Sequence, residues 1–113
     1  MKIINLSKNT VLAENAVLAD NPLSRTKGLL GRKAFLPHEA LVLAPCNSIH
    51  TFFMRFSIDV IFVDRVFKVV SVIPGLKPFR LSKIYFSASR AIELPTGVIV
   101  STRTSPGDIL RIE

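Results

Sequence analysis

The chain is predicted to be an α+β protein that is mainly β: a compact, antiparallel, barrel-like sheet of about seven to eight short strands with one main helix. Three observations predict it. Short apolar runs alternate with turn-forming residues along most of the length. A single stretch, Asn21–Leu30, carries a helix start, an apolar helical stripe and a stop. Hydrophobic residues make up 49% of the 113 positions and charged residues 20%, which excludes a disordered or low-complexity chain and suits one core. A single domain over residues 1–113 is expected.

The elements follow in order. Met1 to Leu6 and Asn15 to Leu18 read as strands, with a polar turn at Ser7-Lys8-Asn9-Thr10 between them. Asn21 is a good N-cap for the helix, and Pro22 fits its first position, where a missing N–H costs nothing. Leu23, Leu29 and Leu30 form its apolar stripe, and Gly31 is its stop. Ala40 to Leu43 is a short strand, and Pro45-Cys46-Asn47-Ser48 is turn chemistry. His50 to Arg55 alternates, placing His50, Phe52 and Met54 on one face and Thr51, Phe53 and Arg55 on the other.

Asp59 to Val63 and Val66 to Ile73 form a hairpin around Asp64-Arg65, which lacks the glycine a tight primed turn prefers. Both faces of Val66–Ile73 are mostly apolar, which predicts a central, doubly covered strand. Residues 74–83 form a loop carrying Pro74, Gly75 and Pro78, and Ser87 to Leu94 is a strand. Pro95 to Thr104 is a short helix or turn. Ser105-Pro106-Gly107-Asp108 is a strong turn before the last strand, Ile109–Ile112.

The formal net charge is +7, which favours anionic partners. Two segments hold the excess. Residues 25–33 carry Arg25, Lys27, Arg32 and Lys33 and no acid. Residues 65–90 carry Arg65, Lys68, Lys77, Arg80, Lys83 and Arg90 and again no acid. In the first segment Arg25, Gly28 and Arg32 share one helical face, and a mid-helix glycine costs about 1 kcal/mol relative to alanine. Such a site suits a groove flanked by two guanidinium forks; the plainer reading packs Gly28 on the sheet and pairs the arginines with Asp59 or Glu93. In the second segment Phe79-Arg80 and Lys83-Ile84-Tyr85-Phe86 interleave rings with cations, as nucleic-acid stacking surfaces do. The plainer reading there is a loop whose aromatics cover the core.

Asp59 and Glu93 each stand in an apolar strand, where a carboxylate needs a partner. Arginine pairing is the simple explanation, from Arg25, Arg32, Arg55 or Arg90. An acid–base pair is the chemical one. Cys46 and His50 lie four apart, and His38 and Asp59 could complete a metal set, but nothing in the sequence brings the four together. A Cys46 nucleophile activated by His50 lacks an evident oxyanion hole. No metal and no cofactor are expected. The lone Cys46 excludes an intramolecular disulfide. The longest apolar stretch, Val66–Ile73, is far too short to span a bilayer, and the N-terminal apolar run is broken by Asn5. A cytoplasmic protein with no membrane partner is expected.

Four motifs occur in series. They are Arg25-Thr26-Lys27-Gly28-Leu29-Leu30-Gly31-Arg32, then Thr51-Phe52-Phe53-Met54-Arg55 with Ile58-Asp59-Val60-Ile61-Phe62, then Ile92-Glu93-Leu94-Pro95-Thr96-Gly97, and Pro106-Gly107-Asp108. In this order they resemble the family known as domain of unknown function 192, over about residues 21–113. The resemblance implies a compact, mainly β domain, often secreted in bacteria, and no particular activity. Two departures stand out. Arg55-Phe56-Ser57 replaces the family's Lys-Asn-Thr, and Asp64-Arg65 lacks its hairpin glycine.

Three functional readings result. The first is a non-catalytic binding module whose basic cleft, for an anionic small molecule or polymer, gathers Arg25, Gly28, Arg32, Phe53, Met54, Asp59 and Glu93. The second is a small hydrolase-like enzyme using Asp59, Glu93 and His50. The third is a nucleic-acid-associated accessory protein that uses the basic-aromatic 74–86 loop. The sequence does not decide whether the chain self-associates.

Overall fold

Strand pairing and side-chain alternation set the architecture. The computed structural model describes residues 1–19 and 34–113, and the predicted helix Asn21–Leu30, with Arg25, Gly28 and Arg32, lies outside them. In chain order the described elements are β1 (Ile3–Asn5), β2 (Thr10–Ala13), β3 (Asn15–Ala19), β4 (Glu39–Leu43), β5 (Ile58–Val63), β6 (Val69–Leu76), β7 (Arg90–Pro95), α1 (Val98–Thr102) and β8 (Leu110–Ile112). They form a three-stranded sheet, ordered β2-β1-β8, and a five-stranded sheet, ordered β3-β4-β7-β5-β6. All pairings are antiparallel except β3 with β4, whose parallel register needs the long connection between Ala19 and Glu39. The mainly β prediction holds; the two sheets do not close into a barrel.

The five-stranded sheet is covered on both faces. On one face, Ala40 and Val42 of β4, Ile61 and Val63 of β5, and Ile92 and Leu94 of β7 pack with Ile3, Leu12 and Leu110 of the small sheet and Ile99 of α1. On the other, Leu41, Leu43, Ile58, Val60, Phe62 and Ala91 pack beneath Ile49, Met54 and Ala88 from the connecting loops. Odd and even residues of one strand therefore enter different clusters, as the pleat dictates.

Several local predictions change. The doubly covered strands are β5, buried along its whole length, and central β7; β6 is an edge strand of mostly half-buried residues. The strand is not central, but both of its faces pack as its apolar pattern requires: Phe67, Val69 and Val72 meet one cluster and Val70, Ile73 and Leu76 the other, while Val69 exchanges backbone hydrogen bonds with Gly107 and Asp108 ahead of β8. The β5–β6 connection is a longer loop. Asp64 Oδ1 accepts from Val66 N and Lys68 N, and Phe67 takes φ 62, doing there what a tight turn assigns to glycine. Residues 50–55 form no strand; they turn sharply at Phe52-Phe53 and keep a single bridge, His50 to Leu81. The helix within Pro95–Thr104 forms as α1, and Ser105–Asp108 forms the expected turn, in which Asp108 Oδ2 accepts from Ser105 N.

Candidate functional site

Asp59 points from β5 into the face that carries α1, and it is fully buried. Opposite it the β6 ladder is irregular: Ile58 pairs with Leu76 and Val60 with Ile73, so Pro74 and Gly75 together face one residue. This bulge frees the Gly75 amide, which donates to Asp59 Oδ1 at 2.9 Å. Oδ2 accepts from Gly97 N at 3.1 Å and from Ile99 N at 2.8 Å, the opening amides of α1. Gly97, the N-cap, has no side chain to do this, so a strand carboxylate caps the helix from outside. Both glycines take positive φ, 64 at Gly75 and 102 at Gly97, where a side chain would be strained. Asp59 is thus satisfied by backbone amides, where the sequence suggested an arginine, and it joins β5, β6 and α1.

Glu93 is also fully buried, but on the other face. In the β5–β7 register it lies opposite Val60, whereas Asp59 lies opposite Leu94. The two carboxylates are therefore separated by the thickness of the sheet and share no cleft. His50 is exposed on the loop over the Glu93 face and stacks on Phe52 at 5.3 Å. Asp59 therefore does not converge with Glu93 and His50, as the three-residue hydrolase-like reading requires. Among the described residues, two hollows of about 390 and 270 Å³ lie beside Ser89, and neither is lined by any of the three. Among the described residues no three His, Cys, Asp or Glu side chains are grouped to hold a metal.

Met54, a candidate for the cleft, is buried in the core, whereas Phe53 is 73% exposed. Phe53 belongs to a surface built by two crossing loops, and Thr51 is the joint. Its buried hydroxyl donates to the Lys77 carbonyl at 2.6 Å and accepts from Arg80 N at 2.9 Å. Its backbone N–H donates to the Arg80 carbonyl, and its own carbonyl accepts from Phe79 N, each at 2.9 Å. Ile49 and Ser82 continue the seam through Ser82 N to the Ile49 carbonyl and Ile49 N to Ser82 Oγ. The seam turns Phe53 and Phe79 outward at φ 65 and 59, backbone states that cost a bulky residue about 1–2 kcal/mol each. Their rings meet edge to face, 5.9 Å between centroids, and Phe79 is 57% exposed.

Around them Arg55, Lys77, Arg80, Leu81, Lys83 and Ile84 are all exposed. The expectation that this loop's aromatics cover the core holds for Tyr85, which packs on Phe62 at 4.5 Å. It fails for Phe79 and for Phe86, which is 87% exposed. Thr51 was not singled out in the sequence, although a lone hydroxyl in an aromatic run is a visible signal. Its partners lie 26 and 29 residues further on, and no local pattern reveals them.

These features define a mainly β, two-sheet protein with an exposed aromatic and cationic surface on its loop-covered side. The chain belongs to the DUF192 family, "Uncharacterized ACR", whose model matches residues 3–112. It is 40% identical over 118 residues to UPF0127 protein PH1112 of Pyrococcus horikoshii, covering 96% of each chain. Two solved structures share the fold. One, from Sinorhizobium meliloti and described as a "putative transcription regulator", has a TM-score of 0.78 at 18% identity, over 97% of this chain and 89% of that one. The other, a protein of unknown function from Novosphingobium aromaticivorans, has a TM-score of 0.78 at 17% identity, over 98% and 82%. Among the described residues no helix is long and apolar enough to cross a membrane.

Proposed function

We infer that the protein is a non-catalytic binding module for an anionic ligand, and that the crossing loops form its contact surface. One observation carries this reading. An exposed ring pair, Phe53 and Phe79, is accompanied by the exposed cations Arg55, Lys77, Arg80 and Lys83, and the segment from residue 65 to residue 90 that supplies Phe79 and three of those cations holds no carboxylate. Exposed rings cost solvation, and unopposed cations repel one another, so a protein gains from placing them together when an anion covers both. Asp59, on the opposite face of the sheet, leaves the cleft as first conceived. Arg25 and Arg32, outside the described residues, stay in the proposal as a second cationic group read from the sequence. A cytoplasmic setting suits this reading, since the single cysteine offers no disulfide.

Thermal melts with inorganic polyphosphate, ATP and citrate test the reading. A saturating anion at about 100 times its Kd adds about 2.7 kcal/mol, or about 11 °C for 113 residues. Combined Lys77→Glu, Arg80→Glu and Lys83→Glu should abolish the shift, whereas Arg111→Glu on the small sheet should preserve it. No shift with any anion, or one indifferent to the triple change, rejects the proposal.

A further inference from the structure

We propose that the Phe53–Phe79 surface is a stacking platform for single-stranded nucleic acid; this inference rests on the binding-module reading and names its ligand. Rings are the first reason. A small anion with no flat or apolar face is held by cations and N–H donors and leaves the two phenylalanines open to solvent. An unpaired base presents a flat π-face and a phosphate together, matching a ring beside a cation. The Phe53–Phe79 contact is edge to face, so the edge of one ring meets the face of the other and the pair is not closed on itself. Phe52, stacked on His50 next along the same loop, supplies a further exposed ring for a neighbouring base.

Charge is the second reason. The segment Lys77-Pro78-Phe79-Arg80-Leu81-Ser82-Lys83 holds three cations and no acid, placed to either side of the bend at Pro78-Phe79, where phosphates flanking a stacked base would meet them. Rigidity is the third. The Thr51 hydrogen bonds fix the loop backbones that carry both rings before a ligand arrives, so little loop ordering is required on binding. Duplexes fit poorly. Their base faces are hidden, and their major groove admits a helix or a two-stranded ribbon, neither of which these loops present.

Fluorescence anisotropy on the full chain tests this, with labelled oligothymidylate and oligouridylate of about 16 nucleotides. A blunt duplex, inorganic polyphosphate and polyglutamate serve as comparisons. Both single strands should bind at least about tenfold tighter than the duplex. Phe53→Ala and Phe79→Ala should each weaken them by about 5- to 100-fold, while polyphosphate affinity stays within about twofold. Combined Lys77→Gln, Arg80→Gln and Lys83→Gln should reduce the slope of log affinity against log salt by about 2. Circular dichroism should show all variants folded, since the exchanged side chains are exposed. If polyphosphate binds as tightly as the oligonucleotides and loses as much with each alanine, the stacking inference fails and the anion-binding module survives. Preference for polyglutamate also overturns it. Absence of binding to every polyanion overturns both.

Discussion

Replacing Asp59 separates a structural carboxylate from a catalytic one. Asp59→Ala removes the acceptor of three backbone N–H groups, from Gly75, Gly97 and Ile99, at 2.8 to 3.1 Å. Hydrogen bonds to a charged group contribute about 1.5–3 kcal/mol each, and they are not additive within one cluster. The amides of Gly75 and Gly97 are only partly buried and recover water, whereas that of Ile99 is buried and bears the full desolvation cost, about 1–3 kcal/mol. A total loss of about 3–5 kcal/mol follows. With an unfolding entropy of about 2.1 cal/mol/K per residue, 113 residues convert this to a fall in Tm of about 13–21 °C. Asp59→Asn keeps one acceptor oxygen and turns an NH2 toward the remaining donors, so about half of that loss is expected. Urea unfolding followed by circular dichroism measures both. Below the transition, polyanion affinity should match that of the unchanged chain. A loss under about 1 kcal/mol for Asp59→Ala, or lost binding by a folded variant, would refute the capping role.

Three further outcomes are expected. Thr51→Val removes a buried hydroxyl that serves both Lys77 and Arg80, so it should cost about 1–3 kcal/mol in urea unfolding and weaken ligand binding by freeing Phe53 and Phe79, while Thr51→Ser should restore both. Burial raises the Asp108 pKa, but hydrogen bonds from Asn5, Lys8 and Ser105 and the Lys8 charge outweigh it, leaving the carboxyl below its ordinary value. Its stabilisation is then complete above the unfolded value near 3.9 and is lost as pH falls through the lower folded value. Acid titration of stability should be shallower in Asp108→Asn than in the unchanged chain, and identical curves would refute the network. Phe62→Ala, which empties a fully buried site against Tyr85, should cost about 3–5 kcal/mol, whereas Phe86→Ala at the surface should stay within about 0.5 kcal/mol in the same unfolding assay.

Much of the fold was legible because its signals are local. The turn at Ser105–Asp108 closes through hydrogen bonds three residues apart, and composition alone points to it. The apolar runs of β4, β5 and β7 mark strands whatever their partners. Asp59 and Glu93 stood out as carboxylates in apolar surroundings, and both are buried. Their relation was not legible. It depends on the register of β5 against β7, where one residue of offset sends two side chains to opposite faces. The partners of Asp59 come from a β6 bulge and a helix start some 16 to 40 residues along the chain. Phe53 shows the same limit. Alternation over His50–Arg55 imitates a strand, and only the bonds of Thr51 to the 77–80 loop bend it into a turn that exposes the ring.

Sequence alone therefore determined most of the segments that form strands, several of the turns and where the positive charge collects, since each of these follows from neighbours a few residues apart. Tertiary structure decided which face each buried acid meets and which rings stand in water. Those outcomes depend on strand register and on hydrogen bonds between distant loops, and neither leaves a pattern in any short stretch of sequence.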